Sequence, residues 1–209
     1  MVRPEPHTIN PRMNMFMNAL RRLSFVVFLF AIPACTSHRF YNTQAADEGT
    51  HLRNSRVFIY SFLDIRESHF GPNMLTELDR QIVQELMKFN VTAKVHRFKD
   101  SETGRYFARN NSAMLIPVLE VIERNAENER SFGVDYQLII FPSEMRHIDA
   151  GAGYDIQWDL LNAKTGARVW STSSGGYHIN YGKHDENPQD RAKTIVDGIM
   201  GQMTNSKLF

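Results

Sequence analysis

Between Leu23 and Ala34 the chain runs twelve residues almost without a polar side chain, Leu-Ser-Phe-Val-Val-Phe-Leu-Phe-Ala-Ile-Pro-Ala. As a helix rising ~1.5 Å per residue it would span roughly 18 Å, well short of a hydrocarbon core of ~30 Å. Arg21 and Arg22 precede it, and the only cysteine, Cys35, follows it directly. A basic stretch, a short apolar core and a small residue before a cut describe an export signal, not part of a fold. The chain is therefore divided at this point: residues 1–34 form the signal, and Cys35–Phe209, 175 residues, must do the folding. Met13, Met15 and Met17 offer later starts, so residues 1–16 are either a long basic region or lie ahead of the true start.

Ile32-Pro33-Ala34-Cys35 resembles a bacterial lipobox, a branched apolar residue and two small ones before the Cys that becomes the lipidated N-terminus. The resemblance implies cleavage behind Ile32, Pro33 and Ala34. It also implies S-diacylglycerol and N-acyl modification of Cys35, with the bacterial membrane as partner through the anchor. Two or three acyl chains are enough for stable attachment. Thr36 is not the Asp that retains such lipoproteins in the inner membrane, which implies an outer-membrane location facing the periplasm. The competing reading makes Cys35 an ordinary residue after a conventional cleavage site or signal anchor.

Charge and cysteine usage exclude several classes. The 24 basic and 23 acidic residues become 20 and 22 once the signal is removed. Such a near-neutral domain is no basic nucleic-acid scaffold. One cysteine allows no internal disulfide and no multi-thiolate metal site. A mean hydropathy of −0.39 excludes a polytopic membrane protein.

The mature chain reads as one α+β (mixed α/β) domain over 56–209, preceded by residues 35–55. That polar lead carries little hydrophobic mass and reads as a flexible tether; the alternative is a short ordered arm in which Phe40 and Tyr41 dock. Val57–Leu63 is a continuous apolar run suited to a buried strand. Gly71-Pro72 opens a helix whose Leu75, Leu78, Ile82, Leu86 and Phe89 share one face, with Asn90 at its stop. Val91–Phe98 alternates as a half-exposed strand. A helical region from about Arg105 to Arg130 is kinked or restarted by Pro117, with Leu119, Ile122 and Ala126 inward and Glu120, Glu127 and Glu129 solvated. Three strands follow: Asp135–Phe141, with an edge or bulge at Pro142, then Tyr154–Leu160 and Arg168–Thr172. Gly151-Ala-Gly153 reads as a tight turn. A five-residue loop, Asn162–Gly166, would set Trp158 opposite Trp170. Asn187-Pro188 caps a last helix facing inward with Ala192, Ile195, Ile199 and Met203; Gly198 and Gly201 either weaken it or permit close packing. The order β-α-β-α-β-β-β-α predicts a mixed sheet covered by helices.

Val134-Asp-Tyr-Gln-Leu-Ile-Ile-Phe-Pro142 and Gln157-Trp-Asp-Leu-Leu-Asn-Ala-Lys-Thr-Gly-Ala-Arg-Val-Trp170 resemble the last strands of a class of envelope lipoproteins. The class includes the curli-export lipoprotein, the activators of penicillin-binding proteins and the N-terminal domain of the Tol-system propeller protein. It implies a non-enzymatic scaffold, regulator or assembly subunit of an envelope export or cell-wall machine, with envelope proteins or further copies of itself as partners.

Motifs for chemistry are scarce. There is no dinucleotide or phosphate loop and no nucleophile elbow, so no enzyme activity, cofactor or metal is expected. His147 and Asp149, with His178 and His184 further on, provide the best material for a metal-dependent hydrolase, but zinc needs three or four ligands in tight geometry. A ligand-binding lipoprotein, for lipid or glycan in the sheet–helix cleft, is the other alternative. Ser171–Gly176 reads as a solvated strand end or as a polar edge able to accept a partner strand.

Overall fold

The computed structural model describes residues 38–66, 70, 73–99, 118–148, 151–179 and 187–209, all within one compact unit, Thr36–Phe209. The described residues form six strands: β1 (Arg39–Tyr41), β2 (Arg56–Ser61), β3 (Thr92–Arg97), β4 (Tyr136–Ile148), β5 (Gly151–Asn162) and β6 (Arg168–Ile179). The helices are α1 (Met74–Met87), α2 (Val118–Phe132) and α3 (Pro188–Asn205), with a 3-10 turn at Leu63–Arg66. The sheet order is β1-β6-β5-β4-β2-β3. β2 lies parallel to β3 and β4, while β4–β5, β5–β6 and β6–β1 are antiparallel. The fold is thus the expected α+β mixed sheet with helices, extended by one strand at its edge.

β2 carries apolar side chains on both faces because both faces are covered. Val57 and Ile59 join a core with Leu138, Ile140, Ile156, Trp158 and Leu160, closed by α1 and α3. The face of α1 formed by Leu75, Leu78, Ile82 and Leu86 is buried there, as are Ala192, Ile195, Ile199 and Met203 of α3. Asn187 caps α3 as its side chain accepts from the Gln189 amide, with Pro188 in the first turn, the arrangement that favours a helix start. On the opposite face Phe58, Tyr60, Phe62, Phe98 and Ile139 form a smaller core beneath α2.

α2 departs from expectation. Its buried residues are Val121, Asn125 and Glu129; Ala126 is exposed and Leu119 is 76% exposed. The helix is turned so that a carboxylate, not an alanine, meets the sheet. Glu129 accepts from Tyr60 Oη at 2.5 Å and from Gln137 Nε2 at 2.8 Å. Burial, then the Glu129 hydrogen bond, pushes the Tyr60 phenol upward, so it stays a donor. A buried charge is tolerated when its oxygens are all engaged in this way. The expected helix before Val118, Pro117 and Gly71-Pro72 lie outside the described residues.

The three long strands exceed their apolar runs. Gly151–Gly153, expected as a turn, belongs to β5. β4 continues past Pro142 with a register shift between Pro142 and Glu144, as the proline suggested. Trp158 does not face Trp170: Trp158 pairs with Thr172 and Leu160 with Trp170. The turn holds one residue more than expected, and Val169 bulges out of register, so two single slips add and both indoles stay on one face. Each indole finds its own hydroxyl, Trp158 Nε1 donating to Ser174 Oγ and Trp170 Nε1 to Ser206 Oγ, both at 2.9 Å.

From His38 onward the polar lead is an arm and not a flexible tether. β1 pairs along β6, Arg39 with Gly175, Phe40 with Ser174 and Tyr41 with Ser173. The Gln44 and Asp47 amides donate to the Ser171 and Val169 carbonyls at 2.9 Å each. Thr43 Oγ1 lies 2.7 Å from Thr172 Oγ1 and donates to Gln202 Oε1 at 2.9 Å. Phe40 packs on the core over Gly198 of α3, where a methyl group would overlap its ring. Gly201 meets nothing within 4 Å.

These contacts make the two glycines a matched pair. Gly201→Ala should stabilise the domain by about 0.5–1 kcal/mol through helix propensity, whereas Gly198→Ala should destabilise it and speed tryptic cleavage after Arg39. Thermal melts with timed proteolysis check both, and equal behaviour of the variants would refute the packing. Glu129→Ala should cost about 3 kcal/mol by leaving Tyr60 and Gln137 unsatisfied. Tyr60→Phe should cost less, about 2 kcal/mol. Urea midpoints decide this.

Candidate functional site

The arm brings chemistry to the end of the sheet where β1 begins. His38 precedes β1, its ring 5.2 Å from that of Phe40 and 6.0 Å from that of Tyr154. Both ring nitrogens are buried without a hydrogen-bond partner. Gly176 makes room for them: a Cβ there would lie 2.7 Å from His38 Nδ1 and 2.9 Å from Tyr154 Oη. Arg191, buried in the first turn of α3, donates to the Phe70 carbonyl. His38, Tyr154, Gly176, Tyr177, Arg191, Thr194 and Ile195 line a small hollow that opens to solvent. Burial, reinforced by the Arg191 charge, lowers the His38 pKa to about 4, so the imidazole is neutral at physiological pH.

A ladder of polar pairs runs across the other face of β4, β5 and β6. Arg146 holds Asp155 through both guanidinium nitrogens, at 2.9 and 3.3 Å, and reaches Glu144 at 3.2 Å. Ser173 Oγ donates to Gln157 Oε1 at 2.7 Å, Gln157 Nε2 donates to Asp159 Oδ1 at 2.8 Å, and Arg168 stands 3.8 Å from Asp159. Tyr41 of the arm is 38% exposed; its phenol is shifted upward by burial and then by Asp155. These side chains engage one another, which fixes register where apolar pattern gives out.

The residues singled out in the sequence fall as follows. Cys35 and its flank Ile32, Pro33 and Ala34 lie outside the described residues, as do Asp149 and His184. Backbone register sets His147 opposite Ala152, and Ala152 opposite His178. His178 is buried. Among the described residues no group of three His, Cys, Asp or Glu side chains could hold a metal ion, and no helix is long and apolar enough to cross a membrane. Ser171–Gly176 is not an open edge: β5 pairs it on one side, and the chain's own β1 takes the partner's place on the other. Nothing in the sequence joins His38, Gly176 and Arg191 into one site, because no motif links residues so far apart.

No family model and no curated protein matches the chain. Among solved structures it resembles a PelC dodecamer from Paraburkholderia phytofirmans, at 12% identity and a TM-score of 0.49 over 79% of this chain and 96% of that one. It also resembles lipoprotein GNA1162 from Neisseria meningitidis, at 15% identity and a TM-score of 0.40 over 72% and 99%. These are partial likenesses of chain path, and no functional statement about this chain follows from them.

The buried imidazole gives the arm a pH dependence. With a folded pKa of about 4 against ~6.5 in the unfolded chain, the unfolded state binds the extra proton between those values. The contribution of His38 is therefore complete above pH ~6.5 and is lost as pH falls towards 4, by up to about 3 kcal/mol. Melts at pH 7.5 and pH 5 should show a larger loss for the wild type than for His38→Gln; equal losses would contradict the burial.

Proposed function

We propose that the protein is an outer-membrane lipoprotein, held by acyl chains on Cys35 and facing the periplasm. Its domain serves as a non-enzymatic scaffold, regulator or assembly subunit of an envelope export or cell-wall machine. The observation that carries this reading is Ile32-Pro33-Ala34-Cys35 placed directly behind a basic pair and an apolar run too short to span a bilayer. The resemblance of the β4–β6 strands to envelope lipoproteins supports the non-enzymatic role. So does the polar ladder of β4, β5 and β6, whose groups are occupied in holding the sheet.

Crosslinking in intact cells, followed by mass spectrometry, tests the proposal against Cys35→Ser. Wild-type protein should label with palmitate, fractionate with the outer membrane and crosslink to an envelope protein or to itself; Cys35→Ser should lose the label and the membrane fraction. A wild type that labels but yields only free monomer would refute the scaffold role, and an unlabelled wild type would refute the anchor.

A further inference from the structure

Three peptide units separate Cys35 from His38, a reach of about 11 Å at full extension. A flexible tether of twenty residues would let the domain wander ~25 Å from its anchor. That freedom is gone once β1 is stitched to β6 from Arg39 onward. We infer that the rim of the sheet where β1 begins rests against the bilayer, with lipid headgroups as the partner of that surface. This inference rests on the lipoprotein reading of Cys35.

The topology identifies the rim. β6 runs antiparallel to β1, so its residues beyond Gly175 lie on the side from which the chain enters β1. β5 starts there, Gly153 pairing with Tyr177 and Gly151 with Ile179, and β4 ends there at Arg146–Ile148. The rim presents Arg39, which is exposed, and Tyr177 at 36%. Tyrosine has an apolar ring and a polar tip suited to the headgroup level, and arginine lays an apolar stem on such a surface while its guanidinium meets phosphate. The net charge of the mature chain is slightly negative, so the short joint, not long-range attraction, brings the rim to the membrane. The opposite rim, at the Asn162–Gly166 turn, lies ten residues further along β5, about 33 Å away.

The test uses full-length protein processed in a bacterium, with acylation of Cys35 read by mass spectrometry. An acylated Cys35 leaves no free thiol, so Tyr177→Cys and Lys164→Cys each provide a single site for a bimane label. Reconstitution into phosphatidylethanolamine–phosphatidylglycerol vesicles doped with headgroup-nitroxide lipid should quench the label at 177 several-fold more than the label at 164. Inserting ten Gly/Ser residues between Thr36 and Ser37 should bring the two close together. Arg39→Cys provides a second rim probe should Tyr177→Cys fail to fold. Equal quenching at both ends of acylated protein would overturn the seating alone. Unacylated protein that fails to float with vesicles would overturn the lipoprotein reading and the seating with it.

Discussion

Pairing of residues 39–41 with β6 is the contact on which the arrangement of this protein turns. Without it β6 would be an exposed edge, Phe40 would lie in water and the core over α3 would be open at Gly198. With it, a polar lead of little hydrophobic mass becomes the sixth strand, and the unpaired backbone groups that make sheet edges hazardous are taken up by the same chain. One aromatic side chain fits one glycine notch, and the backbone bonds of Gln44 and Asp47 carry the attachment along β6. The consequence reaches beyond stability. If Cys35 carries the proposed acyl chains, three residues would separate that anchor from β1, and membrane attachment and domain orientation would become a single problem.

The two faces of the sheet are held by different means. α1 and α3 close theirs with a broad apolar surface that includes both tryptophans. α2 closes the other with a smaller aromatic cluster and a fully engaged carboxylate at Glu129. A helix tied down by a charge has one well-defined seat, because any other rotation would strand that charge away from Tyr60 and Gln137. Beyond the reach of α2, polar pairs join the long strands on this face among the described residues.

What could be read from the sequence follows where apolar pattern was strong. The faces of α1 and α3, the buried run of β2 and the irregularity at Pro142 all stand where periodicity and proline chemistry put them. Where position was set by a few polar contacts, pattern misled. Leu119 and Ala126 suggested one face of α2, and the helix turned to bury Asn125 and Glu129. Trp158 and Trp170 suggested direct pairing, and an added turn residue with a bulge at Val169 moved them apart by two. The arm offered little apolar signal beyond Phe40 and Tyr41, since its other attachments are backbone bonds and a threonine pair. The hollow beside His38 was illegible for the same reason: His38, Gly176 and Arg191 meet only after the sheet has formed.

The central claim is that the arm is part of the folded domain, and amide hydrogen exchange at Gln44 and Asp47 tests it most directly. If both amides are bonded to β6 as described, they exchange far more slowly than an unstructured peptide, with protection that Gly198→Ala removes while the core strands keep theirs. Exchange of Gln44 and Asp47 at unstructured-peptide rates in the wild type would contradict the account and make the lead before β2 a free tether.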